Sequence, residues 1–299
     1  VKIKLLAIAV AGILLSGCND DNVDASSKSV QAFDPAVQNM TAVAACDDGT
    51  TETSKTDFTG NAKFFNLAPQ FSPETCSFQF TGLPGSNAVD VSNGKSMVGV
   101  TYSIPKGMAQ ANSPITASPM TTLIAKELAA TGAVYSEATA TTVLTSLGLG
   151  SLLNNGVSVT KLLSNTEAVL KELTTTNPTD ASLLAATTAV LSDVLTASPD
   201  ATAEALTTTA STLSENVIAA NPAYPTSATG DTVYVDFDET EVKDYVQDVE
   251  DKIADPSLPE PTPPTPDLPK AKPVDPPTPP ATGGGTGGGT GGSGGGSGD

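Results

Sequence analysis

The chain has 299 residues, with 14 basic and 33 acidic side chains and a formal net charge of −19. Every basic residue is lysine, because arginine is absent, and histidine and tryptophan are absent as well. These absences exclude Ser-His-Asp and Cys-His catalysis, imidazole metal sites and bidentate guanidinium clamps. An acidic chain poor in aromatics is not expected to bind nucleic acid.

Lys2 and Lys4 precede an apolar run over residues 5–15. The run falls short of the roughly 20 residues that span a bilayer but has the length of a secretory h-region. Small residues and a cysteine follow, Leu15-Ser16-Gly17-Cys18. This segment resembles the lipobox of bacterial lipoproteins. The resemblance implies a signal peptide over 1–17 and cleavage before Cys18. It also implies a diacylglycerol on the Cys18 thiol and an acyl chain on its new amine. No cofactor beyond that lipid is expected, apart from the calcium alternative below. Membrane attachment would run through that lipid. Under the sorting rule of enteric bacteria, Asn19 in place of Asp implies the outer membrane, facing the periplasm or the surface. With Cys18 lipidated, Cys46 and Cys76 remain as an even pair in an oxidising compartment, and a disulfide between them is expected.

Residues 18–35 are polar and read as a lipidated tether. Over 36–110, apolar runs at 41–45, 62–67, 77–81 and 97–104 alternate with turn clusters rich in Gly, Pro, Asn and Asp. Short strands at such spacing predict a small antiparallel β-sandwich. Phe58, Phe64, Phe65, Phe71, Phe78 and Phe80 are its expected aromatic core. Within it, residues 42–46 followed by Lys55-Thr56-Asp57, Gly60, Phe64 and Leu67 resemble a carboxypeptidase-regulatory-like domain. That family is a prealbumin-type sandwich, and in it the Thr-Asp-Gly segment shapes a turn, which implies structural roles for Asp57 and Gly60.

From Ser118 the apolar period lengthens to that of helices. Ser118-Pro119 is an N-cap with a first-turn proline, opening a helix over 120–130 with Gly132 as its stop. Ser136-Glu137 opens a second, to about residue 147. A third spans 158–175 and a fourth 179–196, and Ser198-Pro199-Asp200 opens a fifth, ended by Asn221-Pro222. Their amphipathic stripes predict an antiparallel helical bundle over 111–224. The run from Ser113-Pro114 through Thr121-Thr122-Leu123 to Leu147-Gly148-Leu149 resembles stretches that follow small β domains in large secreted and surface proteins of proteobacteria. Residues 225–255 are an acidic strand-helix segment. From 256 to 299 the chain is rich in Pro and then Gly, and a disordered tail is expected. The overall expectation is an α+β multidomain protein with disordered termini.

Three chemistries survive without histidine. Ser158-Val159-Thr160-Lys161 matches the S-x-x-K tetrad of penicillin-recognising enzymes, and Ser214-Glu215-Asn216 follows, but no K-T-G or K-S-G box does, and Ser158 also fits an N-cap. A carboxylate pair for glycosidase work would come from 236–251, without an aromatic platform. Asp236, Asp238, Glu239 and Glu241 form either a solvated acidic face or an oxygen-ligand set for calcium, without the glycine and terminal Glu of an EF-hand. No catalytic residue is assigned. The expected role is a non-enzymatic outer-membrane lipoprotein acting in surface binding, adhesion or envelope scaffolding, with an envelope protein or polysaccharide as partner. The alternatives are a carboxylate-based or Ser-Lys hydrolase, and an accessory lipoprotein for export or assembly of another envelope component.

Overall fold

A computed structural model of the chain describes residues 27–277. The expected signal peptide, Cys18 and the glycine-rich end lie outside the described residues. The fold is α+β, with nine strands and nine α-helices among the described residues.

The strands come first. They are β1 (Lys28–Ala32), β2 (Val37–Gln38), β3 (Thr41–Cys46), β4 (Thr51–Lys55), β5 (Asn61–Phe64), β6 (Cys76–Thr81), β7 (Val89–Asp90), β8 (Thr101–Ile104) and β9 (Thr116–Ala117). One sheet has the order β4-β3-β6-β8 and is antiparallel throughout. A second has the order β5-β1-β9, and β2 pairs with β7. The β1–β9 pair is parallel, the single departure from antiparallel pairing among the named strands. Alternation sets the inner face: Ala42 and Ala44 on β3, Phe78 and Phe80 on β6, and Tyr102 and Ile104 on β8 are buried, while their neighbours stay wetter. Phe64 packs edge-on against Phe78, with ring centroids 5.4 Å apart, and burying each such side chain contributes roughly 1.5–3 kcal/mol. Phe58, Phe65 and Phe71 are exceptions to the expected aromatic core, Phe58 being half-buried in a turn outside it. Phe65 precedes the short helix α1 (Leu67–Phe71), Phe71 ends it, and both are exposed.

Two boundaries differ from the sequence expectation. The segment expected as a tether over 18–35 already belongs to the fold from Lys28 onward. β1 lies between β5 and β9, and Val30, Ala32 and Phe33 are buried. The physical reason is its own alternation, in which Val30 and Ala32 turn inward and Ser29 outward. The Lys28 ammonium, carried inward with them, donates to the Ser113 carbonyl at 2.6 Å and to that of Gln110.

At the other end, residues 256–277 are not a disordered tail. Asp267 and Asp236 exchange backbone hydrogen bonds. Tyr234 N–H donates to the Pro269 carbonyl, and Ala271 N–H to that of Thr232. Further on, Lys272 and Val274 donate to the carbonyls of Asn93 and Val91. Proline supplies no donor, but the residues between the prolines do, and the segment becomes a strap across two parts of the body. Gly94 makes room for it. Its φ is +80°, and a Cβ there would collide with the Lys272 carbonyl oxygen.

The helices are α2 (Pro119–Thr131), α3 (Glu137–Leu144), α4 (Gly150–Asn154), α5 (Val159–Ser164), α6 (Thr166–Thr176), α7 (Pro178–Ala197), α8 (Ala203–Ala220) and α9 (Glu239–Ala254). The α2 start is the expected one: Ser118 Oγ accepts from Thr121 N–H, and Thr121 Oγ1 reciprocates at the Ser118 N–H. The expected third helix is two, α5 and α6. Asn165 breaks it because its side chain caps α6 by accepting from Ala168 N–H. The fifth begins later than Ser198, since Thr202 Oγ1 takes the cap by accepting from Ala205 N–H. Helix α7 is long and apolar enough to cross a membrane by length and composition, yet it is mostly buried. It packs against α2, α6, α8 and α9, and α2 in turn packs on β8. The buried apolar side chains of strands, helices and the 233–249 segment form one contiguous core.

Candidate functional site

A cavity of about 190 Å³ opens where three regions meet. One wall comes from the strand region, through Phe33 and Met97. A second comes from α6 and α7, through Leu170 and Leu184, and the third from Val233 and Val235. The cis bonds Asp34–Pro35 and Tyr224–Pro225 lie in these walls. The lining is mainly apolar, with Asp34, Asp90 and Lys95 as its charged members. The strap is hydrogen-bonded to three of the lining residues, Asn93 on one side and Thr232 and Tyr234 on the other.

Asp34 follows Phe33 into the interior and is 7% exposed. Its Oδ2 accepts from the Tyr102 hydroxyl at 2.7 Å, and that hydroxyl is 2.8 Å from Ser192 Oγ on α7. Its Oδ1 is buried without a hydrogen-bond partner. Burial pushes the Asp34 carboxyl well above the usual carboxylate range, against the opposing hydrogen bonds of Ser192 and Tyr102. Asp90, at the end of β7, is satisfied locally: Oδ1 accepts from Ser92 N–H and hydroxyl, and Oδ2 from the Asn93 amide. Burial still raises it to about 6. Asp193, one residue beyond Ser192, is raised by burial to about 6 although Lys95 favours its charged form. The Lys95 ammonium lies 2.6 Å from Asp193 Oδ1 and 2.8 Å from the Val235 carbonyl, with Asp236 at 3.9 Å. Several ionisable groups are thus gathered in low-polarity surroundings, with acids in excess of the one lysine that lines the cavity.

The residues singled out in the sequence take other roles. The sulphurs of Cys46 and Cys76 are 1.95 Å apart, joining directly opposed positions of β3 and β6. Ser158 is the α5 cap, its Oγ accepting from Lys161 N–H, and Lys161 pairs with Glu172 at 2.5 Å, so the S-x-x-K match is helix-start chemistry. Asp57 Oδ1 accepts from Thr59 and Asn61 N–H and shapes a turn. The four acids considered for calcium are dispersed in role. Asp238 caps α9 by accepting from Thr240 and Glu241 N–H, Asp236 faces Lys95, and Glu239 and Glu241 sit in the first helical turn, where the helix dipole favours them. Among the described residues no group of three or more acidic or cysteine side chains could hold a metal ion.

Sequence spacing did not point to Asp34, Tyr102, Ser192, Asp90 or Lys95. The signal available was a charge set in an apolar stretch, as in Ala32-Phe33-Asp34 and Leu191-Ser192-Asp193-Val194. No protein-family model matches the chain, and no curated protein or solved structure matches it either.

Proposed function

We propose that the chain is a non-enzymatic, lipid-anchored protein of the bacterial outer membrane, acting as a binding, adhesion or envelope-scaffold module. In this reading the sheets form a small β-sandwich packed on an antiparallel helical bundle. The observation that carries the reading is the Cys46–Cys76 bond, because such bonds persist in oxidising compartments outside the cytosol. It agrees with the export expected from Leu15-Ser16-Gly17-Cys18. The engagement of Ser158 as a cap and of Lys161 in an ion pair supports the non-enzymatic part. The mainly apolar cavity supports binding.

The test is metabolic labelling of the full chain with a palmitate analogue in a bacterial host, beside Cys18→Ala. Label in the membrane fraction, lost in the variant, is the expected result. Equal label in both chains, or none in either, would overturn the anchor.

A further inference from the structure

We propose that the cavity bounded by Asp34, α6–α7 and residues 224–235 is a binding site for a small organic cation, an amine with an apolar body whose ammonium group meets Asp34. The proposal rests on the binding reading above but not on the lipid anchor.

Size and lining come first. A mainly apolar cavity of about 190 Å³ exceeds the roughly 150 Å³ that suffices for benzene. It suits a body of one ring or a branched aliphatic group. Leu170, Ala185 and Ala189 on the helical side, and Tyr234 opposite, are half-buried, so the lining communicates with solvent.

The polar groups then select the ligand's head. Asp90 is occupied by Ser92 and Asn93. The Lys95 ammonium is held by Asp193 and the Val235 carbonyl. The Tyr102 hydroxyl is shared between Asp34 Oδ2 and Ser192. The acceptor left over is Asp34 Oδ1, buried and without a partner. Burying an unpaired acceptor is costly, and a ligand donor removes that cost. Asp34 and Asp90 line the cavity beside one lysine that Asp193 already matches; burial disfavours their charged forms, an ammonium restores them, and an anionic ligand would oppose them further. A hard metal ion takes six or more oxygens, and the described acids do not gather to supply them. An ammonium needs one carboxylate and brings its own donors.

The experiment is calorimetric titration of the full chain with phenethylamine, the isosteric alcohol and 3-phenylpropionate. The amine is expected to bind, and the alcohol and the acid are not. Asp34→Asn, which keeps an acceptor for Tyr102, should weaken the amine at least about thirtyfold, the low end for removing one partner of a buried charge pair. Ala189→Leu leaves every charge in place and fills the cavity from α7, and it should abolish binding even if Asp34→Asn fails to fold. Binding of the alcohol as tight as the amine, amine binding undiminished in either folded variant, or no binding of the amine would each overturn the proposal. None of these outcomes bears on palmitate labelling, so the two readings fail separately.

Discussion

Acidification from about pH 7.5 to about pH 5 should stabilise this fold, although acid weakens most proteins by protonating paired carboxylates. Asp90 and Asp193 are the reason. Each has a carboxyl near 3.8 in the unfolded chain and about 6 in the folded one, raised by burial. A folded state that holds a proton where the unfolded state has released it gains stability as pH falls through 6, and the gain is complete below 3.8. Over this window each group contributes about 1.4 kcal/mol, and the pair on the order of 2–3 kcal/mol. For a body of this size that is a rise in Tm of about 5–10 °C. Asp34 acts in the same direction. Asp231, lowered by the Lys270 ammonium, and Asp48 and Asp255, lowered by hydrogen bonds from Thr50 and Ser257, act oppositely but only as pH falls toward and below 3.8. The assay is differential scanning calorimetry of the full chain across the pH range, beside Asp90→Asn and Asp193→Asn. Screening the net charge with salt separates general repulsion from the two buried groups. Each variant should flatten the rise by about half of the paired contribution. A Tm that is level or falls on acidification, or variants with the wild-type slope, would refute the assignment.

Two further outcomes follow from the packing. Reducing the disulfide, or replacing Cys46 and Cys76 with alanine, opens a closed loop with a sequence separation of 30 and should cost about 3–4 kcal/mol in the chain-entropy model; urea unfolding with and without reductant measures it, and coincident curves would count against a structural role. Gly94→Ala should destabilise more than Gly85→Ala. Both glycines have positive φ, but only at Gly94 does a Cβ meet the strap, at Lys272, whereas Gly85 faces open space. The shared backbone penalty is roughly 1–2 kcal/mol. Limited proteolysis should show earlier cleavage within 256–277 for the Gly94 variant alone, and equal cleavage in both would argue against docking.

The parts legible in the sequence are those governed by local chemistry. The caps of α2, α3 and α5 were visible because a serine oxygen satisfies a donor two or three residues on, and β3, β5, β6 and β8 because alternation and turn residues are short-range signals. What escaped depends on partners far along the chain. β1 is only five residues long and pairs with β5 and β9, so its pattern has no meaning until those strands are in place. The strap shows the same dependence: a proline-rich run has no intrinsic reason to dock, and it docks because residues 232–236 offer an unpaired edge. The cavity is harder still, since Asp34 and Ser192 are 158 residues apart, and a lone acid carries no spacing motif. Ser198-Pro199-Asp200 illustrates competition between adjacent signals, where Thr202 took the cap.

Residues 231–255 carry ten acidic residues and two lysines, whereas the helices before them are rich in threonine, with hydroxyls bonded to their own backbone, as Thr141 to Glu137, Thr188 to Leu184 and Thr207 to Ala203. The charge is therefore unevenly spread along the chain, and the acidic segment itself supplies the cavity wall at Val233 and Val235. A small cation diffusing nearby is drawn toward that side before it makes any contact, and the guidance fades as ionic strength rises. Capture speed and holding strength are thus set by different residues, the first by α9 and its approach, the second by the interior.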